Sequence, residues 1–382
     1  MARGENIRQR KDGRWEGRFR KVQKDGKKVQ GSVYGSSYRE VKNKLIQIKA
    51  EQSLMSEHLA ESGVSCMART SETYAAIAEE WLLSVIPTLK PATISKYRST
   101  LEHLLLPRFG QRKVITITRS EVLIFKNELL SKGGRTGRGY TPKSVCGILS
   151  VFKNSMDYAR HVLNLPVIPL DGISIKQTYV RPRVLSVNEY RTLLDYLLTD
   201  ITPIKLGVLL SLMAGLRIGE ICALTWADIS FADKCIHISK TMQRIQQPKG
   251  SIPRTKVIID TPKSLCSSRE IPITEELLPL LTQFRQPDAC FLLTGDADSF
   301  MEPRCLENHF NAMIRNCSIE GVTMHTCRHS FATRCVELGF DVKTLSEILG
   351  HASVSITMNR YMHPSMDLKR ENMSKLSSLF RT

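Results

Sequence analysis

At the start of the chain Asp12-Gly13 and Asp25-Gly26 divide three short runs, 7–10, 14–22 and 28–34, and in the middle run apolar and polar positions alternate. Alternation with period two is the pattern of a strand that buries one face, and Asp-Gly suits a tight hairpin whose central residues take positive φ. The runs predict a three-stranded antiparallel sheet. In the middle run Arg14, Glu16, Arg18 and Arg20 fall on one face and Trp15, Gly17 and Phe19 on the other. Tyr38, Val41, Leu45 and Ile48 then recur at helical spacing, enough to cover the apolar face.

Residues 51–70 have no clear period and read as a linker, with the preceding helix running on for about a turn into its start. From about Ser71 the pattern is helical, with Tyr74, Ile77, Trp81 and Val85 on one stripe. Thr118 with Glu121 is a capping box, and Thr141-Pro142 joins an N-cap to a proline at the first helical position. The stretch 131–140 between them is rich in glycine and carries Lys132, Arg135 and Arg138, which suits either a phosphate contact or a plain surface loop. Arg181-Pro182 marks a boundary, and Ser186 with Glu189 caps the next helix. The apolar stretch 206–216 falls short of the ~20 residues a membrane span needs, so it reads as a buried helix. Strands are expected at 235–239, 256–261 and 269–273, the last two joined by a turn holding Lys263. The expected fold is mainly α with small β-sheets, in several domains. These are 1–55 (sheet plus helix), a linker 56–70, a helical domain 71–178, and a mixed, mostly helical domain 179–382. Met366, Met373, Leu376 and Phe380 predict a tail helix from about 365, packed either on its own domain or on a neighbouring protomer.

Charge sharpens this picture. The 382 residues include 55 Lys/Arg against 37 Asp/Glu, a net +18. Residues 1–50 hold fifteen basic and five acidic groups, so +10 of that excess sits at one end and +8 in the remainder. Such an imbalance serves a polyanion, and a small sheet with a basic free face can lie in a DNA major groove. The N-terminus has charges and glycine where a secretory segment needs an apolar run, so a cytoplasmic protein with no membrane association is expected. Ten cysteines are scattered without a Cys-x-x-Cys pair or zinc-finger spacing, which predicts reduced thiols and no metal.

Cutting a phosphodiester without metal takes an oxygen nucleophile, cations to neutralise the pentavalent phosphate, and an acid for the departing 5′ oxygen. The C-terminal region contains Ala214-Gly215-Leu216-Arg217-Ile218-Gly219-Glu220, then Lys263, His325-Thr326-Cys327-Arg328-His329, Leu349-Gly350-His351, and Tyr361. His325 and Arg328, three apart, would share a helix face, and arginine offers a planar fork that stays charged.

In these motifs the chain resembles the tyrosine recombinases, the family of phage and conjugative-transposon integrases. The resemblance implies that Arg217, Lys263, His325, Arg328 and His351 surround the scissile phosphate and that Tyr361 attacks it. It also implies Lys263 as general acid, a 3′-phosphotyrosine intermediate and no cofactor. His325 is the candidate for proton transfer at Tyr361, and His351 for a hydrogen bond to the phosphate. Glu220 reads as an orienting partner, and His329 as a core histidine. By the same resemblance 71–178 is a core-binding (SAM-like) domain, and 1–55 an arm-site DNA-binding domain with Arg14, Arg18 and Arg20 on DNA. The partners implied are double-stranded DNA, a homo-tetramer on that DNA, and an accessory excision or DNA-bending factor. Integration and excision of a mobile element is the leading function. A type IB topoisomerase and a non-catalytic DNA-binding protein are the alternatives.

Overall fold

A computed structural model of the chain describes residues 7–9, 15–22, 28–35, 37–42, 44–45, 69, 71–134, 137–176, 182–261, 265–361, 370 and 373–374. It divides into one unit of Met1–Thr88 and Thr100–Lys176 and a second of Leu89–Ser99 and Gln177–Thr382.

In the first unit β1 (Ile7–Gln9), β2 (Trp15–Val22) and β3 (Lys28–Gly35) form the expected antiparallel sheet, in that order. Residues 38–42 and 44–45 are helical (α1). Trp15 meets Tyr38 edge-on at 5.4 Å, and a Cβ on Gly17 would fall 2.6 Å from Val41 Cγ1. Glycine there lets the buried Val41 press against the sheet. The opposite face carries an acid among its basic groups, as the alternation predicts. Glu16, 5% exposed, sits on it and accepts from Arg8 Nε at 2.9 Å, Ser32 Oγ at 3.1 Å and Arg18 Nε at 3.3 Å. These bonds, Arg8's foremost, hold the carboxyl below its usual range. Arg14, both Asp-Gly turns, and the side chains of Phe19 and Arg20 lie outside the described residues.

The helical elements that follow are α2 (Tyr74–Val85), α3 (Pro91–Thr100), α4 (Leu106–Phe109), α5 (Arg119–Lys132) and α6 (Pro142–His161). Both predicted N-termini are present: Thr118 and Glu121 close a capping box on α5, and Thr141 caps α6 ahead of Pro142. Tyr74, Ile77 and Trp81 are buried as their spacing requires. Phe109 stacks on Phe152 at 4.8 Å, and the buried Tyr74 hydroxyl meets Ser155 Oγ at 2.9 Å. Leu89–Ser99, most of α3, groups with the second unit. There Ser95 Oγ donates to Gln246 O at 3.0 Å and accepts from its N–H at 3.1 Å.

The second unit holds α7 (Val187–Leu198), α8 (Pro203–Met213), α9 (Ile218–Ala223), five strands, then α10 (Leu277–Gln283), α11 (Pro303–Asn316), α12 (Met324–Glu337), α13 (Val342–Leu349) and α14 (Val354–Tyr361). Ser186 and Glu189 form the predicted capping box on α7. Every residue from Leu206 to Leu212 in α8 is buried, as befits a helix packed on all sides. Among the described residues no helix is long and apolar enough to cross a membrane.

The strands correct one expectation. β4 (Ile229–Ser230), β5 (Cys235–Ile238) and β8 (Arg269–Pro272) form one sheet, while β6 (Thr241–Gln246) pairs with β7 (Thr255–Asp260) in another. The strands on either side of Lys263 in the sequence, β7 and β8, are therefore not a hairpin. The reason is that β6, which carries no clean alternation and was not expected as a strand, takes up the β7 ladder from Thr241↔Asp260 to Gln246↔Thr255. Lys263 itself lies outside the described residues. Of the tail helix, only Arg370, Met373 and Ser374 are described, all helical.

Candidate active site

Arg217 is the N-cap residue of α9, and Glu220 closes the turn beneath it. The Glu220 carboxylate accepts from the Arg217 backbone N–H at 2.9 Å and from its Nη1 at 2.6 Å. It also takes two parallel bonds from Arg269, at the start of β8, at 3.0 and 2.9 Å. Glu220 is 2% exposed. Burial alone would raise its carboxyl, but the Arg269 hydrogen bonds and the charges of Arg269 and Arg217 bring it down to about 2.

The same arginines converge on the end of α13. Arg269 Nε donates to Ile348 O at 2.6 Å, Arg328 Nη2 to Leu349 O, and Arg217 Nη2 to Gly350 O at 3.0 Å. Three guanidiniums thus satisfy three successive carbonyls at a helix C-terminus, where partial negative charge favours cations. Gly350 turns the chain there with φ 60°, and a Cβ on it would fall 3.0 Å from Arg269 Cδ and 3.2 Å from Ser267 Cα. Glycine meets both demands. His351 follows directly and is anchored through Nδ1 to Thr357 Oγ1 at 2.8 Å.

Helix α12 brings His325, Arg328 and His329 to the same place by their three- and four-residue spacing. Arg328 is 2% exposed and donates Nη1 to Gly215 O at 2.5 Å. Burial first, then the charge of Arg217, lowers its guanidinium to about 9, so it stays charged at neutral pH. Tyr361 ends α14, buried against Ala332, Cys335, Leu345 and Leu349. Its hydroxyl lies 2.6 Å from His329 Nδ1. The His351 ring runs parallel to the phenol at 6.3 Å, and His325 meets His329 edge-on at 4.7 Å.

Burial raises the Tyr361 phenol above its ordinary value, against the opposing charges of Arg328 and Arg360. Burial also lowers the histidines. His329 falls to about 4 with the help of His325, His351 to about 3 with the help of Arg328, and His325 in the same direction. At pH 7 both His329 and His351 are neutral.

Five of the six nominated positions, Arg217, His325, Arg328, His351 and Tyr361, therefore come together. Three further residues belong with them. His329 is no backbone-bonded core histidine; its ring holds the Tyr361 hydroxyl. Arg269 shares Glu220, and Arg360 adds a positive charge beside the phenol. Their signals were present, since His329 follows Arg328 and Arg360 precedes Tyr361, but adjacency on a helix does not say which way a side chain points.

Residues 183–367 match the phage integrase family, and 73–130 match the phage integrase N-terminal SAM-like domain. The chain belongs to the tyrosine recombinases. This recombinase is 26% identical over 328 residues to a XerC-like tyrosine recombinase of Caldanaerobacter subterraneus subsp. tengcongensis, a match covering 78% of the chain and 81% of that relative. It is 24% identical over 284 residues to the ICEBs1 integrase of Bacillus subtilis, covering 71% and 73% of the two chains. In fold it is similar to the Tn1549 transposon integrase in complex with transposon right end DNA, with a TM-score of 0.65 and 20% identity, covering 80% of this chain and all of that one. The recombinase is thus an enzyme of site-specific DNA breakage and rejoining.

Proposed function

We propose that this recombinase integrates and excises a mobile element, with Tyr361 as the nucleophile. The observation that carries the reading is the Tyr361 hydroxyl on neutral His329, within reach of the charges of Arg217, Arg328 and Arg360. A phenol with a raised pKa is a poor nucleophile unless a base takes its proton as the bond to phosphorus forms. His329 Nδ1 is that acceptor. The oxygen of Tyr361 attacks the phosphorus, the 5′ oxygen leaves with a proton from Lys263, and the 3′-phosphotyrosine keeps the bond energy for rejoining without ATP. Arg217 and Arg328 neutralise the non-bridging oxygens, and His325 and His351 complete the hydrogen bonding around the phosphate.

Replacing His329 by Ala should slow adduct formation about 10²-fold, in the range of one general base, with core-site affinity retained. The wild-type rate should fall as pH drops towards about 4, where His329 takes up its own proton. A variant as fast as wild type at every pH would return the acceptor role to His325. For Lys263→Ala, cleavage should fail on ordinary DNA and recover on DNA whose scissile 5′ oxygen is replaced by sulfur, because a thiolate leaves without an acid. No recovery on that substrate would remove Lys263 as the acid.

Exchange between two duplexes cuts four strands and each chain offers one Tyr361, so the working assembly is a homo-tetramer on double-stranded DNA. An accessory excision or DNA-bending factor would set direction. The domain from 1 to 55 reads arm sites through Arg14, Arg18 and Arg20, and Ala replacements that remove phosphate contacts should each reduce the salt slope of arm-site binding by about one. The function as a whole is tested on a plasmid bearing the element's two ends. Recombination gives a circular excision product and a rejoined backbone, whereas relaxed topoisomers alone would mean a topoisomerase.

A further inference from the structure

Among the described residues, one cluster of metal-ligating side chains outside the active site is assembled by strand pairing. In the sheet of β4, β5 and β8, the inward residues Ile236, Ile238 and Ile271 are buried in the core, and the period of two places Cys235 and His237 together on the outer face. His237 stands directly opposite Glu270 in the ladder. Cys235 Sγ lies 3.4 Å from His237 Nε2, and His237 Nδ1 lies 3.3 Å from Glu270 Oε1. One ligand atom from each of the three residues lies within 4.8 Å of the others. Around a tetrahedral zinc ion, thiolate, imidazole and carboxylate atoms stand about 3.4–3.6 Å apart, from the usual bond lengths. The two short contacts use opposite nitrogens of the ring, so with Nε2 ligating beside Cys235 the Glu270 carboxylate must swing from Nδ1 towards Nε2, within the 4.8 Å that already spans the three ligand atoms. The Glu270 side chain is 71% exposed, so leaving its contact with His237 uncovers little, and His237, at 42%, opens the site to solvent.

The geometry points to a divalent transition-metal site, of the zinc class, held by Cys235, His237 and Glu270 with water in the fourth position. A thiolate, an imidazole and a carboxylate are the donor set of a borderline-soft ion and suit neither calcium nor magnesium. The ion ties β5 to β8 on the sheet's outer face. Arg269 lies next to Glu270 and points to the other face, where it holds Glu220, so the metal steadies the strand that orients Arg217. Sequence spacing hides the site because Glu270 is brought to the other two by the ladder alone.

The full-length protein, stripped with a chelator, should be dialysed against zinc alone and its metal content compared with that of Cys235→Ala and His237→Ala. Wild type is expected to retain one more equivalent than either variant. With Co²⁺ it should show a near-ultraviolet thiolate-to-metal band that both variants lack. Its thermal midpoint should rise with zinc while theirs do not. Glu270→Ala, a change at an exposed side chain, should weaken binding about tenfold or more. Equal uptake by all three proteins, or an extra equivalent without the thiolate band, would overturn the assignment. None of these readouts depends on DNA cleavage, so the site stands or falls independently of the recombination reading.

Discussion

Tyr361→Phe protein will leave no covalent adduct on nicked DNA carrying the element's end, incubated without metal or ATP, while wild type accumulates a 3′-linked one. The change removes one oxygen. The phenylalanine ring keeps the packing against Ala332, Cys335, Leu345 and Leu349, so folding and DNA affinity should hold. What is lost is the nucleophile and the bond to His329 Nδ1, and removal of a nucleophile ordinarily costs about 10⁴-fold or more in rate. Gel separation of protein–DNA adducts, with an affinity measurement beside it, reads both quantities. Wild type and variant bound equally to DNA with neither forming an adduct would leave a DNA-binding module as the better account.

Glu220→Ala is expected to have the second large effect, on folding as well as activity. Its carboxylate is the shared counter-charge of Arg217 and Arg269, and the Arg269 side chain is only 5% exposed. Without Glu220 two guanidiniums face each other across a buried gap, a defect that typically costs about 3–5 kcal/mol. The effect should appear as a lower denaturation midpoint of the second unit, and as lost cleavage under conditions where the variant stays folded. The same carboxylate sets an acid limit. Its pKa is depressed from 4.5 to about 2, so its contribution is whole above pH 4.5 and is lost as pH falls from there towards 2. By that shift the contribution is about 3 kcal/mol. His329 and His351, also depressed, add to the loss from about pH 6.5 downward, since the unfolded chain takes up protons that the folded one refuses. A stability curve flat from pH 7 to 3, or an Ala variant as stable as wild type, would contradict this account of the network.

The features the sequence could determine alone were local ones. Capping boxes at Thr118 and Ser186, the proline after Thr141, the alternation of β2 and the apolar run of α8 each act within a few residues, through hydrogen bonds or burial patterns that the neighbouring side chains specify. The motifs of the candidate site were legible for a similar reason: Arg217 with Glu220, and His325 with Arg328, are single helical turns whose spacing declares a shared face.

Tertiary structure decided what depends on which surfaces meet. The pairing of β6 with β7 and of β5 with β8 could not be read from strand patterns, because a ladder is chosen by the backbone groups and side chains of a distant partner. That choice removed the hairpin expected between β7 and β8, and it carried Glu270 to Cys235 and His237. The partner of the Tyr361 hydroxyl was likewise settled only by the packing of α14 on α12, which turned His329 from an expected core residue into the base that holds that hydroxyl. Convergence of Arg217, Arg269 and Arg328 on the last carbonyls of α13 has the same origin, since a helix terminus recruits whichever cations the fold brings within hydrogen-bonding distance.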